Sequence, residues 1–184
     1  LDASTLGKID IRGPDSAEFL NRVYTNGWSK LAVGRCRYGL MLKDDGMVMD
    51  DGVTTRLNKN HYHMTTTTGG AAYVLDWLEE WLQTEWPDLQ VYLTSVTEQW
   101  AVATLSGPNA NKILQDAGID IDLSPTSFPF MSMQNCHIGG LPARVFRISF
   151  TGELSYEINV AARHGLAMWS HLMKSGAAHG ITPY

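Results

Sequence analysis

The sequence predicts an α+β fold, with mainly antiparallel sheets and packed helices, on three observations. Runs with period-two alternation come in pairs joined by tight turns, rather than in regular strand–helix–strand order. A strand, a Gly-Pro step and a short helix occur twice, at Gly13-Pro14 and at Gly107-Pro108. Hydrophobic residues make up 44% of the 184 residues and charged ones 18%, enough to build a substantial core and too apolar for disorder.

The elements follow in order. Leu6–Arg12 alternates as a strand, with Ile9 and Ile11 as apolar positions. Gly13-Pro14-Asp15 opens a helix whose face is Phe19, Leu20 and Val23, since Pro suits a first helical turn. Tyr38–Lys43 and Met47–Thr55 flank Asp44-Asp45-Gly46, a hairpin signal. His61–Thr67 is a further strand. Ala71–Trp86 is the clearest helix, with Val74, Leu75, Leu78, Trp81 and Leu82 on one face. Leu89–Val96 and Trp100–Leu105 are strands, and Gly107-Pro108-Asn109 opens a short helix with Ile113 and Leu114 on its face. His137–Ser149 is a strand pair broken at Gly139-Gly140, Tyr156–Val160 is a short strand, and Leu166, Trp169, Leu172 and Met173 mark a last helix. The repeated strand–Gly-Pro–helix device suggests two similar halves, 1–98 and 99–184. The chain opens Leu1-Asp2-Ala3-Ser4 without an initiator Met and stops at Ile181-Thr182-Pro183-Tyr184, so a piece of a longer protein is expected.

Several function classes are excluded. Net charge is −5, with no block of like charges, so the electrostatic footprint of a nucleic-acid binder is absent. The longest uncharged stretch, Leu123–Ala143, contains Pro125, Pro129 and Pro142 and cannot span a membrane. Cys36 and Cys136 have no C-x-x-C spacing and no secretory signal, which favours buried free thiols in a reducing cytoplasm.

Three places can carry chemistry. Asp50-Asp51-Gly52 lies inside a strand, so its two carboxylates face opposite sides, and a β-bulge or second turn is the bland alternative. Thr65-Thr66-Thr67-Thr68-Gly69-Gly70 runs from a strand through a glycine turn into the long helix. It reads as hydroxyls lining a ligand slot or as an ordinary helix entry. It lacks a P-loop Lys and G-x-G-x-x-G, which argues against a nucleotide. Phe150-Thr151-Gly152-Glu153, with Tyr156-Glu157-Ile158, offers a Glu that faces solvent or, if turned inward, needs a donor partner. His61 and His63 form an H-x-H pair without a third ligand nearby, so packing is favoured over metal. Met41, Met47 and Met49 read as core filler.

Asp2-Ala3-Ser4, Gly46-Met47-Val48-Met49-Asp50-Asp51, Leu105-Ser106-Gly107-Pro108, Phe128-Pro129-Phe130 and Phe150-Thr151-Gly152-Glu153 with Tyr156-Glu157-Ile158 occur in that order. This series resembles the glycine cleavage T-protein (aminomethyltransferase) family. The wording between the motifs, including Tyr24-Thr25-Asn26 and Met64–Gly70, is most similar to the sarcosine-oxidising members, with dimethylglycine dehydrogenases as near relatives.

The resemblance implies a folate-binding α+β core, normally followed by a C-terminal barrel that these residues do not include. It implies tetrahydrofolate as cofactor and capture of the one-carbon unit of a sarcosine-derived imine as 5,10-methylenetetrahydrofolate. Flavin and NAD are expected only in other parts of a full enzyme, together with other subunits of a hetero-oligomeric oxidase. No oxidase activity is expected of the chain by itself. Aminomethyltransfer, a dimethylglycine dehydrogenase-like folate domain, and a non-catalytic folate-binding or docking module remain as alternatives. So do folate-sensing, tRNA-modifying and iron–sulfur assembly relatives.

By the same resemblance Asp51 is the catalytic carboxylate that deprotonates the folate amine, and Glu157 accepts the paired N–H groups of the pterin edge. Thr65 and Thr67 line the pterin. Phe150 stands where the family has Tyr, losing a hydroxyl, and Tyr184 where T-proteins carry an Arg near the folate tail. Asp50 is expected to affect the product only if it anchors a local turn.

Overall fold

The first apolar alternation forms strand β1 (Gly7–Arg12), and a turn at Gly13-Pro14 delivers helix α1 (Ser16–Val23). Strands β2 (Cys36–Leu42), β3 (Val48–Asn58) and β4 (His61–Thr66), helix α2 (Ala71–Thr84) and strand β5 (Tyr92–Ser95) follow. They form an antiparallel sheet of order β2-β3-β4-β1-β5. The Asp44-Asp45-Gly46 turn joins β2 to β3, closed by the Lys43 N–H to Met47 O bond of 2.9 Å. The core of this unit buries Ile9 and Ile11 of β1, Phe19, Leu20 and Val23 of α1, and Val74 and Leu78 of α2 against Met41, Tyr62 and Met64. Met47 departs from the core-filler expectation: it sits beside the hairpin turn and is 66% exposed.

The second sheet is built from β6 (Trp100–Ser106), β7 (Ser132–Ile138), β8 (Leu141–Arg147) and β9 (Ser155–Ala161), in the order β6-β9-β8-β7. Helices α3 (Ala110–Asp116) and α4 (Gly165–Gly176) pack on it. Its core includes Leu105, Ile113, Leu114, Phe128, Ile138, Val145, Tyr156, Ile158 and Leu172. The computed structural model describes all 184 residues, as two units: Thr5–Thr97, and Glu98–Tyr184 together with Leu1–Ser4.

The two units repeat one topology. Matching β1, α1, β2, β3, β4 and α2 to β6, α3, β7, β8, β9 and α4 turns one sheet order into the other. The Gly-Pro turns match in detail. Gly13 O accepts from Ser16 N–H at 3.2 Å, and Gly107 O from Ala110 N–H at 3.1 Å. Gly13 N–H donates to Asn60 O just before β4, and Gly107 N–H to Leu154 O just before β9.

The outer edge of each first strand is covered by the segment that precedes the other unit in sequence. β5 pairs with β1, although it leads into β6. Leu1–Ser4 leads into β1, yet Ala3 N–H bonds to Val102 O and Thr104 N–H to Leu1 O, both at 2.9 Å. A division of the chain at residue 98 therefore misplaces Leu1–Ser4. Pairing removes exposed edge donors and acceptors, which a short polar strand does at little cost.

On the face of β1 opposite Ile9 and Ile11, the H-x-H pair finds its partner in Asp10. His63 Nδ1 and His61 Nε2 each donate to an Asp10 oxygen at 2.8 Å, and Arg12 donates at 2.9 Å. Because His61 Nε2 carries the donated proton, the Arg12 Nε contact to it at 3.3 Å is not a second hydrogen bond. No group of His, Cys, Asp or Glu side chains is arranged to hold a metal ion. The two thiols are free and buried, one in each unit. Burial and the nearby charge of Asp120 push the Cys136 thiol up to about 12, which leaves it unreactive as a nucleophile. No helix is long and apolar enough to cross a membrane.

Burial alone would raise the Asp10 pKa. Hydrogen bonds from His61 and His63, the charge of His63 and the Arg12 guanidinium outweigh it and hold the group well below the usual carboxylate range. A carboxyl lowered on folding stabilises the fold above its unfolded pKa near ~3.9, and that stability is lost as pH falls towards the folded value. Asp10→Asn is therefore expected to cost about 1.5–3 kcal/mol at neutral pH and to flatten the acid limb of stability. Urea unfolding midpoints of both proteins between pH 3 and 7 check it; parallel pH curves would contradict it.

Candidate functional site

The β2–β3 ladder decides where the two adjacent carboxylates point. Met41 pairs with Asp50 but Leu42 with Val48, so Met49 is an extra residue bulged out of β3 immediately before the pair. Past the bulge, β3 alternates regularly: Asp50 is buried, at 4% exposure, and Asp51 is half-buried on the other face. The expected opposition of the two residues is met; Asp50, Asp51 and Gly52 themselves pair regularly with Met41, Leu40 and Gly39, so the bulge lies just before them rather than in them.

Asp50 is fully engaged. It accepts from Asp51 N–H at 2.6 Å, Thr67 N–H at 3.1 Å and Thr67 Oγ1 at 3.0 Å. Thr67 Oγ1 in turn accepts from Gly70 N–H at 3.1 Å, at the residue that caps α2. A Cβ at Gly70 would lie 1.8 Å from Asp50 Oδ2, so only glycine lets the carboxylate reach this turn. The first turn of α2 has no acidic residue of its own, and Asp50 supplies the negative charge that a helix N-terminus favours. The glycine turn thus receives an anion, and the anion is the protein's own carboxylate.

Asp51 faces β2, where the Tyr38 hydroxyl donates to its Oδ2. Tyr38 was not singled out by sequence reasoning. Its side chain is half exposed, so Asp51 lies in a solvent-accessible, hydrogen-bonded position. Tyr24, buried at the C-terminal end of α1, has its hydroxyl 3.1 Å from Thr54 Oγ1; burial raises its pKa, and the charges of Asp50 and Asp51 raise it further.

Thr65 and Thr67 belong to the same unit, but their hydroxyls are spoken for. Thr65 Oγ1 donates to Val53 O and accepts from Val53 N–H, both at 3.0 Å. It therefore replaces a strand bond beside Gly52, where a Cβ would meet Thr65 O at 1.9 Å. Thr67 serves Asp50. Both hydroxyls are thus engaged within the protein, and the Thr67 N–H is held by Asp50 as well.

The other sequence candidates lie in the second unit. Glu157 is half-buried on β9, between Thr104 and Phe146, on the opposite face from Tyr156 and Ile158. It takes the outward place in the alternation that puts Tyr156 and Ile158 in the core, with its side chain partly covered. Phe150 is 102% exposed in the loop after β8, whose Thr151 hydroxyl lies 3.2 Å from that of Ser106. Tyr184 lines a cavity of about 330 Å³ with Thr104, Ser106, Asn109, Trp169 and Ile181, and neither Glu157 nor Phe150 borders it. Within its unit the structure does not draw these three residues into one cavity.

The Tyr38 phenol is raised above its ordinary pKa, first by the hydrogen bond to Asp51 and then by partial burial and the carboxylate charge. Asp51→Asn is expected to return it towards about 10, as read from the NMR titration of the labelled tyrosine ring. An unchanged Tyr38 titration would mean that the two groups are not bonded in solution.

The family model described as GCVT N-terminal domain matches residues 1–184. The chain is 56% identical to the sarcosine oxidase subunit alpha of Corynebacterium sp. (strain P-1), over 100% of this chain and 19% of that protein. It is 33% identical to the aminomethyltransferase of Symbiobacterium thermophilum, over 99% of this chain and 48% of that protein. Among solved structures, the glycine cleavage system aminomethyltransferase T from Bartonella henselae matches with a TM-score of 0.80 at 24% identity, over 94% of this chain and 44% of that one. The chain thus spans less than half the length of these proteins. The alternation, the doubled Gly-Pro device and the ordered motifs have their common origin in that match over the full length: the chain belongs to the GCVT N-terminal domain family.

Proposed function

We propose that this chain is the tetrahydrofolate-binding region of a sarcosine oxidase alpha subunit, capturing the one-carbon unit of oxidised sarcosine as 5,10-methylenetetrahydrofolate. The observation that carries this reading is Asp51: an accessible carboxylate, oriented by Tyr38, at the second position of an Asp-Asp pair. The 56% identity to a sarcosine oxidase subunit favours the amine-oxidising setting over simple aminomethyltransfer.

The residues suit a folate as co-substrate. Its reacting groups are N–H donors, and Asp51 offers an acceptor with one oxygen braced by a neutral phenol. Asp51 takes the proton from the folate nitrogen that attacks the imine carbon, and passes it to the departing amine nitrogen. Closing the five-membered ring releases the second folate N–H proton, again towards the amine. Two N–H protons thus leave the folate and the iminium nitrogen leaves as ammonium, so the step needs no oxidant. In a full-length oxidase the imine would come from a flavin bound outside these residues.

Glu157 supplies the carboxylate for the pterin edge, whose two parallel N–H groups a carboxylate accepts as a fork. Thr65 and Thr67 line the pterin, while Phe150 and Tyr184 provide exposed aromatic surface for the folate's outer parts. Other subunits of a hetero-oligomeric oxidase and a cytoplasmic setting complete the reading, the latter in keeping with two buried free thiols.

In the full-length protein, Asp51→Asn is expected to lower the rate of methylenetetrahydrofolate formation about 10²–10⁴-fold, releasing formaldehyde instead. The yields of the two products at saturating folate check it, and an unchanged ratio would remove Asp51 from the chemistry. Glu157→Gln is expected to weaken tetrahydrofolate binding by about one to two decades, because an amide loses one charge-assisted bond and sets a donor against a donor. Titration with the 5-formyl analogue tests it; equal affinities would place Glu157 outside the folate contact.

A further inference from the structure

Asp50 is buried, accepts three hydrogen bonds and contacts no group that reacts in the proposed chemistry. Its three donors come from two places: the main chain of Asp51, and the turn that opens α2. A Cβ-free Gly70 lets that turn close on the carboxylate, and the Gly70 N–H is tied in turn to Thr67 Oγ1. Alternation from Thr54, which pairs with Met64 of β4, puts Asp50 on the face of the sheet where these donors stand. A carboxylate with this many fixed donors has little rotational freedom, and the amide it holds belongs to Asp51.

We propose that Asp50 is a positioning residue: through the Asp51 N–H and the Thr67–Gly70 turn, it fixes the main chain of Asp51 and so the direction of the Asp51 carboxylate. This rests on the reading of Asp51 as the base. It reverses the simpler view of the pair, in which only its second member matters to product formation. It also gives Thr67 a role through its hydroxyl that is not ligand contact. Misplacing a catalytic group by about 1 Å can cost on the order of 100-fold in rate without altering ground-state affinity.

The test uses the full-length protein and two variants that each break the Asp50–Thr67 hydroxyl bond. Asp50→Asn replaces one acceptor with a donor; Thr67→Val removes the hydroxyl, and Thr67→Ser restores it. In Asp50→Asn and Thr67→Val the rate of methylenetetrahydrofolate formation is expected to fall about 10- to 100-fold, with affinity for 5-formyltetrahydrofolate held within about twofold. Thr67→Ser is expected to stay near wild type. The double variant should fall no further than the worse single one, because both lose the same bond.

Amide hydrogen exchange at Asp51 and Thr67 is expected to quicken in Asp50→Asn, which reads the clamp independently of activity. A wild-type rate in Asp50→Asn with Asp51→Asn inactive would overturn the positioning role alone. So would a rate loss in Thr67→Val accompanied by an equal loss of affinity, since that describes a ligand contact. Should Asp50→Asn fail to fold, the contrast between Thr67→Val and Thr67→Ser decides the question. Product formation persisting in Asp51→Asn would overturn the reading of the site and this inference with it.

Discussion

A buried carboxylate must be met by donors, and much of the first unit is arranged around that requirement. Unpaired, such a group would cost several kcal/mol or give up its charge. Asp10 and Asp50 are both buried, and each receives three donated hydrogen bonds. Asp10 draws on side chains, joining β1 to β4 through two histidines. Asp50 draws mostly on main chain, joining β3 to the entrance of α2. Both therefore cross the sheet at points where apolar packing says nothing about alignment, and both leave neighbouring groups, Tyr62 and Met64 or Asp51, in defined directions.

The bulge at Met49 has the larger consequence. Counting back from the Asp44-Asp45-Gly46 turn without a bulge pairs Tyr38 with Gly52 and brings its ring to the side of Asp50. With one residue bulged, Tyr38 pairs with Val53 and shares a face with Asp51. One extra residue thus decides which of the two carboxylates shares a face with the phenol. The member given to solvent acquires a phenol donor, and the member turned inward acquires the main-chain clamp. The pair has a division of labour that neither aspartate has by type.

Topology repeats between the units, and the chemistry does not. The Gly-Pro turns, sheet orders and helix placements correspond, down to equivalent hydrogen bonds at Gly13 and Gly107. Matching the pairs Thr54–Met64 and Val145–Ile158, the positions of β8 that correspond to Asp50 and Asp51 hold Leu141 and Pro142, so the second unit has no such carboxylate pair. A duplicated scaffold keeps its backbone plan while the side chains at matching positions diverge. The repeat accounts for the shape of each unit and leaves the site to local detail.

Much of the fold was legible because alternation, Gly-Pro punctuation and the apolar stripe of α2 are local signals. All four helices and the β2–β3 hairpin fall where the residue pattern places them, although Leu89–Val91 drops out of β5 and α2 ends at Thr84; β7 instead begins at Ser132, ahead of the expected start at His137. The opposition of Asp50 and Asp51 was legible too, since successive strand residues face opposite sides. Spacing does not choose between the two; only the resemblance to the family assigns chemistry to the second.

Other facts needed the tertiary structure. Tyr38 meets Asp51 only through a register that a bulge sets. Asp10 completes the histidine pair from a strand some fifty residues away in sequence, and β5 and Leu1–Ser4 are each added to the sheet of the unit they do not precede. Residue type and local period determine which segments form strands and helices and which faces are apolar. Pairing register and long-range donors are settled only when the whole sheet closes, because a one-residue shift costs little locally but changes every partner across the ladder.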